Sequence, residues 1–317
     1  LLVNTSAQGN TAVGHSSLRS ATTGAANTAV GKQALCKTTT GANNVALGYA
    51  ALCTNTTGAN NIAVGYDALV TNSTGQYNTA VGAYSLDANT TANYNVAMGM
   101  NAMGANTTGC CNVGIGVNAL RTQTTAICNT ALGFNAGYGM TTGCENVTIG
   151  MGAGCSITTG DNNTMIGRTA AVNATTGNNN NTFGTNAGND AVKNITTESH
   201  QIVMGSNGNT HAFIKIDWTV TSDLRDKTEI EDVPHGLDFI NQITPIKYKF
   251  KTSREDETPA GDKKYGFKAQ EILALEGDNP VIINNDDADN LKLTTSHLVP
   301  VLVNAIKELK AEIELLK

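Results

Sequence analysis

Ser222 and Lys227 stand five residues apart in the heptapeptide "TSDLRDK", Thr221 to Lys227. A serine hydroxyl is a weak nucleophile until a base takes its proton. A lysine amine can be that base when burial drops its pKa well below the usual value of about 10.4. Five residues of chain let two such side chains meet across a turn or a short helical bend. The chemistry open to the pair is attack on a peptide carbonyl. A serine that attacks the carbonyl just before it forms an ester, which water then opens. On residue types alone, the heptapeptide reads as a polar linker. Asp223 and Arg225 between them read as an ion pair orienting the loop, or as exposed surface charge.

The elements around this pair change character at it. The 317-residue chain has 20 basic and 26 acidic residues, and 13 and 19 of these lie after Thr221. The first 221 residues are therefore neutral, with seven charges of each sign, and the whole net charge of −6 falls on the last 96. Neither segment presents the basic field that nucleic acid or an anionic membrane requires. No stretch approaches the 18 or so uninterrupted apolar residues of a membrane span. The chain begins "LLVNTSAQGN" without a methionine or a signal peptide, which reads as a piece of a longer protein.

Glycine recurs at 14, 31, 48, 65, 82, 99, 116, 133, 150, 167 and 184, a constant spacing of 17. Four residues before each stands an asparagine: Asn10, Asn27, Asn44, Asn61, Asn78, Asn95, Asn112, Asn129, Asn146, Asn163 and Asn180. Nine residues after each of the first ten comes a threonine, from Thr23 to Thr176, usually within "TTG". Such a period is the mark of a solenoid. The residues three and one before the glycines, such as Val45 and Leu47, are apolar or β-branched in all but the last unit, with Ala between them in most units. That alternation predicts a short strand with one buried face, the Val/Leu face, and an alanine face that needs something flat against it. A second apolar pair, Ala34-Leu35 or Ala51-Leu52, predicts a second short strand in each coil. "TTG" and "NN" supply the turns. Parallel coils stacked about 4.8 Å apart make a rod of roughly 48 Å. Association of rods would cover the alanine face, with a trimer as the natural closure. The asparagines read as a ladder of stacked amides or as turn residues.

The unit "NTAVGxxAL…TTGxNN" resembles the heads of trimeric autotransporter adhesins and related segments of phage tail fibres. That resemblance implies a left-handed, trimeric parallel β-roll, although the adhesin period is typically shorter. All seven cysteines lie in the repeat region, with Cys36 and Cys53 at one repeat position and Cys111 and Cys128 at another. They read as small buried residues in register on adjacent coils, not as a disulfide framework. After Gly184 the ruler slips by four residues before Gly205, and "HAFIKIDW" ends in the lone Trp218. This divides the chain into a shaft over 1–188, a cap and neck over 189–221, and a small α+β domain over 222–317.

In the last segment, "HGLDFINQI" has helical spacing and Pro245 ends it; "PIKYKFK" alternates as a strand. "NNDDADN" lacks the spacing and terminal glutamate of a calcium loop and reads as a solvated turn. No metal set and no cofactor motif is found. Val299, Leu302, Ile306, Leu309, Ile313 and Leu316 follow the a/d spacing of a coiled coil, and so predict a trimerisation seam. The same run could instead pack on its own domain.

"SDLRDKTEI", "LDFINQITPIKYKF", "YGFKAQEI" and "LVPVLVNAIKELKAEIELL" resemble, in order, the C-terminal intramolecular chaperone of phage tail spikes, fibres and endosialidases, over essentially all of 222–317. The resemblance implies a domain that trimerises and folds the β-structured stalk and then cuts itself off as a serine–lysine peptidase. Its serine and lysine fall on Ser222 and Lys227, Asp223 and Arg225 belong to its motif, and its cleaved bond lies between Thr221 and Ser222. It further implies a homotrimer in the virion, assembled in the host cytoplasm, joined to other tail proteins through what precedes Leu1, and acting once on itself without external substrates. The alternative is an adhesin, at a bacterial surface or on a virion, that recognises a host-surface glycan. Five per cent aromatics and one tryptophan offer few sugar-stacking platforms for that role. A polysaccharide hydrolase would need paired carboxylates in a groove, and the seven acidic residues before Ser222 do not cluster.

Overall fold

The structure, a computed structural model, describes residues 5–190, 192–209, 213, 222–251, 254–286 and 288–317. It divides into two compact units, Leu1–Asn209 and Thr210–Lys317.

The first unit is a β-solenoid. Each coil contributes one three-residue strand, and twelve of them, from β1 (Thr11–Val13) through β3 (Val45–Leu47) and β9 (Val147–Ile149) to β12 (Ile202–Met204), form one parallel sheet in strict sequence order. Register is fixed at 17 residues, as in Ala29 against Ala46 and Ala46 against Ala63. Between β11 (Asn181–Phe183) and β12 the offset becomes 21, so the four extra residues are absorbed outside the sheet. Trp218 and its neighbours lie outside the described residues.

Two expectations are corrected here. There is one strand per coil, because the second apolar pair sits in a tight turn: Leu35, Leu52, Leu69 and Leu86 have φ between 49° and 52°. A leucine in that left-handed region costs about 1–2 kcal/mol. Full burial of the same side chain offsets it, at about 2 kcal/mol each. The turn still hydrogen-bonds to its neighbour, Leu35 N–H to Ala51 C=O at 3.0 Å, so the backbone is paired without strand geometry. The second correction concerns the sheet's faces. Ala29, Ala46, Ala63 and Ala80 point inward and are fully buried, whereas Val45, Leu47 and Ile62 point outward and are exposed. Seventeen residues enclose too narrow a core for leucine from both strand and turn. The turn leucine fills it, and the facing strand residue must be small.

The unit glycine is required by geometry. Gly48 has φ +138°, and a Cβ there would lie 2.3 Å from the carbonyl oxygen of Gly65 in the next coil. Later coils fill the same cross-section differently. The turn leucine gives way to Gly137 and Gly154, and the strand alanine to Thr148 and Met165. Met140 and Ile157 enter from the other side, and these four larger side chains are all fully buried. A Cβ on Gly154 would meet Met165 Sδ at 2.6 Å, so bulk has moved from turn to strand at near-constant volume. The cysteines are not uniformly buried: Cys36 is, Cys53 is half-buried, and Cys111 and Cys128 are exposed. The last two occupy the coil corner that Tyr77 and Tyr94 hold in earlier coils, which faces solvent.

In the second unit, α1 (Leu237–Gln242) precedes an antiparallel hairpin, β13 (Ile246–Lys251) and β14 (Pro259–Gly266). Then come α2 (Ala269–Glu276), a two-residue pairing of β15 (Ile283–Asn284) with β16 (Lys292–Leu293), and α3 (Leu298–Leu315). Phe239, Ile272, Ile282, Ile283, Leu298 and Val301 form the core. Glu276 accepts from the backbone N–H groups of Val281, Ile282 and Ile283 at 2.7–3.0 Å and so fixes the loop after α2. Glu308 of α3 accepts from Leu237 N–H at 2.6 Å, and Asn304 donates to Val233 C=O at 3.1 Å, tying α3 to the start of α1.

Candidate functional site

A short 3₁₀ turn, Leu224–Asp226, folds the segment from Ser222 to Lys227 back on itself. Asp223 caps it, its carboxylate accepting from Arg225 N–H at 2.9 Å, and Lys227 N–H donates to Leu224 C=O at 3.2 Å. The turn brings the side chains of Ser222 and Lys227 together: Lys227 Nζ donates to Ser222 Oγ at 3.0 Å. That is within the distance over which a base takes a nucleophile's proton. Asp223 and Arg225 form a two-pronged ion pair, Nη2 to Oδ2 at 2.5 Å and Nε to Oδ1 at 3.1 Å. The Arg225 side chain, with its backbone N–H second, holds the Asp223 carboxyl below its usual range. The pair braces the same turn that makes the Ser–Lys contact. All four side chains are exposed in the single chain. Thr221, whose carbonyl the serine would attack, lies outside the described residues.

The other predicted residues fall on different elements. Along α3, Leu298, Val301 and Ala305 are buried against the domain's own core. The a/d residues Val299, Leu302, Ile306, Leu309, Ile313 and Leu316 occupy a neighbouring stripe and remain 43–87% exposed. The helix therefore carries two apolar stripes, one used within the domain and one open.

In the shaft, the asparagines before each strand from Asn27 to Asn180 are fully buried, and Asn10 takes part from the outermost coil. Asn44 Nδ2 donates to Gly58 C=O at 2.9 Å and to Asn27 Oδ1 at 3.1 Å. Asn44 Oδ1 accepts from Asn61 N–H at 2.9 Å. Each amide thus closes its own coil and locks the next, leaving little unpaired polarity in a dry core. A second buried ladder escaped the sequence reading: Asn72, Asn89 and Asn106 each donate to the residue 17 before, and Gln123 to Asn106. Its signal was present as asparagine seven residues after glycine at 55, 72, 89 and 106, masked because "TTG" beside it already explained a turn. Met140 and Ile157 replace it where the core changes composition.

Among the described residues, no group of His, Cys, Asp and Glu is arranged to hold a metal ion, and no helix is long and apolar enough to cross a membrane. Residues 222–279 match the family model described as "Chaperone of endosialidase". The matched stretch holds the Ser–Lys turn, α1, the hairpin and α2, and ends before α3, short of the whole of 222–317. No curated protein and no solved structure matches the chain.

Proposed function

We propose, for a chain that carries a chaperone-of-endosialidase domain behind a β-solenoid, that it is the distal segment of a trimeric phage tail fibre whose C-terminal domain aligns three chains, folds the shaft and then releases itself. The 3.0 Å contact between Ser222 and Lys227, inside the matched segment and at the seam between two compositions, carries this reading.

The chemistry follows from that contact. Ser222 Oγ attacks the Thr221 carbonyl carbon while an uncharged Lys227 amine takes the hydroxyl proton. The Thr221–Ser222 C–N bond breaks, and Lys227 returns the proton to the leaving nitrogen. An ester between Thr221 and Ser222 Oγ results, and water hydrolyses it to a Thr221 carboxylate and a free Ser222. A lysine serves as base only where it is shielded from water, and both side chains are exposed in a single chain. Packing of copies over the turn would supply that shielding and make cleavage follow assembly.

The shaft explains why a chaperone is needed. Every coil offers its neighbour the same 17-residue register, so a one-coil slip between chains changes little locally. Alignment has to come from an aperiodic element, and the open stripe of α3 offers one. Removing that element afterwards leaves the assembly kinetically hard to reverse. Wild-type chain should yield a fragment of 96 residues on a denaturing gel, and Ser222→Ala and Lys227→Met should not. A wild type that stays whole, or variants that are cut equally, would overturn the processing.

A further inference from the structure

The face that the solenoid turns outward is long and mainly apolar, with His15, Lys32 and Arg168 toward its ends. The residue just before each unit glycine is apolar in all twelve coils, from Val13 to Met204. The residue just after it is apolar or aromatic through seven consecutive coils, from Tyr49 to Met151. Leu47, Met98, Met100, Leu132, Phe134 and Met151 are each 40–51% exposed on this face. Over those seven coils the fourteen positions form one continuous apolar strip, unlike the singly scattered apolar residues of an ordinary soluble surface.

We propose that this face is where shafts of the present chain meet one another, in parallel and in register, so that the assembly outlives removal of the C-terminal domain. The inference rests on the trimeric reading above and assigns its contact surface. Three observations select a second copy as the occupant. The two outward positions flanking the glycine hold no charged residue across those seven coils, with Lys32 over Tyr49 and Asp67 beside Tyr66 at the margin, so identical faces meet with little repulsion. The side chains repeat once per coil, about every 4.8 Å over tens of ångströms, and another copy of the shaft has that same spacing. A glycan fits less well. Tyr49 and Tyr66 stack on each other with centroids 5.0 Å apart and planes 12° from parallel, and Lys32 lies over Tyr49, so part of the ring surface that a sugar would use is taken up within the shaft. The alanine face, expected from the sequence to make this contact, is sealed inside the coil.

The test is photocrosslinking in the full chain, with p-benzoylphenylalanine in place of Phe134 and, as an off-face control, of the exposed Thr125. Native mass spectrometry reports the oligomer in parallel. The expected result is inter-chain product from position 134, joined to a peptide within a coil or two of residue 134 in the other copy, with little from position 125. An oligomer whose crosslinks from 134 are absent, land in distant coils, or are matched by those from 125 would overturn this assignment and leave the trimer standing. A chain that is monomeric throughout would overturn both. Leu132→Glu with Phe134→Glu, two outward positions, should weaken association of the folded shaft at least tenfold. Unchanged association would count equally against the proposal.

Discussion

The two units of this chain reach order by opposite routes. The shaft repeats one scheme, varied in its later coils: a turn leucine against a strand alanine, a buried amide that closes its coil and locks the next, and a glycine whose place a side chain takes only with strain. The C-terminal unit has no repeated contact. Its small core depends on individual residues such as Phe239 and Ile272, and on particular ties such as Glu308 to Leu237 N–H. A repeating structure is stable coil by coil but carries no mark of where it should begin. An aperiodic one is uniquely addressed and has little core to spare. A chain that joins them can use the second to set the register of the first.

Breaking each side separately sharpens that contrast. Phe239→Ala should cost the C-terminal unit about 3–5 kcal/mol. Trimer yield should collapse although no shaft residue has changed, as size-exclusion chromatography of the expressed chain would show. Asn44→Ala should cost the shaft about 3 kcal/mol, because Asn61 N–H loses its partner in a dry core. Urea unfolding should show the loss in the shaft transition, with cleavage after Thr221 unaffected. Gly48→Ala should cost about 2 kcal/mol through backbone strain and push adjacent coils apart locally, seen as faster hydrogen exchange at residues 45–66.

The smallest expected effect is a pH dependence at the end of the solenoid. Burial alone would raise the Glu198 pKa, but hydrogen bonds from Thr196 N–H and from its own N–H, then from Lys193 and the Thr196 hydroxyl, outweigh it and lower it from 4.5 to about 2. A carboxyl depressed in the folded state stabilises fully above its unfolded pKa and loses that contribution as pH falls from 4.5 through about 2. Its side chain is 37% exposed, so the effect is modest. Protection factors at residues 196–204, with the intrinsic slowing of exchange in acid divided out, should fall as pH falls from 4.5 to about 2, and Glu198→Gln should flatten the profile.

How far the fold could be read from residues differs between the units for the same reason. The 17-residue period and the strand before each glycine are legible because eleven repetitions average out local ambiguity. Which strand face turns inward was not legible: Val45, Ala46 and Leu47 are all apolar, and alternation marks two faces without ranking them. Cross-section ranks them, and that is a property of the closed coil. The turn leucines misled for a related reason, since an apolar pair resembles a strand until its φ angles are known. In the C-terminal unit, Ser222 and Lys227 were singled out by spacing and resemblance, while the turn that joins them depends on Asp223 as a cap, which a five-residue spacing does not specify. The split of α3 into a buried stripe at Leu298, Val301 and Ala305 and an open one beside it needs the domain core to be in place.

Native mass spectrometry of freshly expressed full chain beside Ser222→Ala tests the central claim most directly. The account predicts a trimer of chains ending at Thr221, with the 96-residue remainder released, and a trimer of uncut chains for the variant. A wild type that remains an uncut monomer would contradict it.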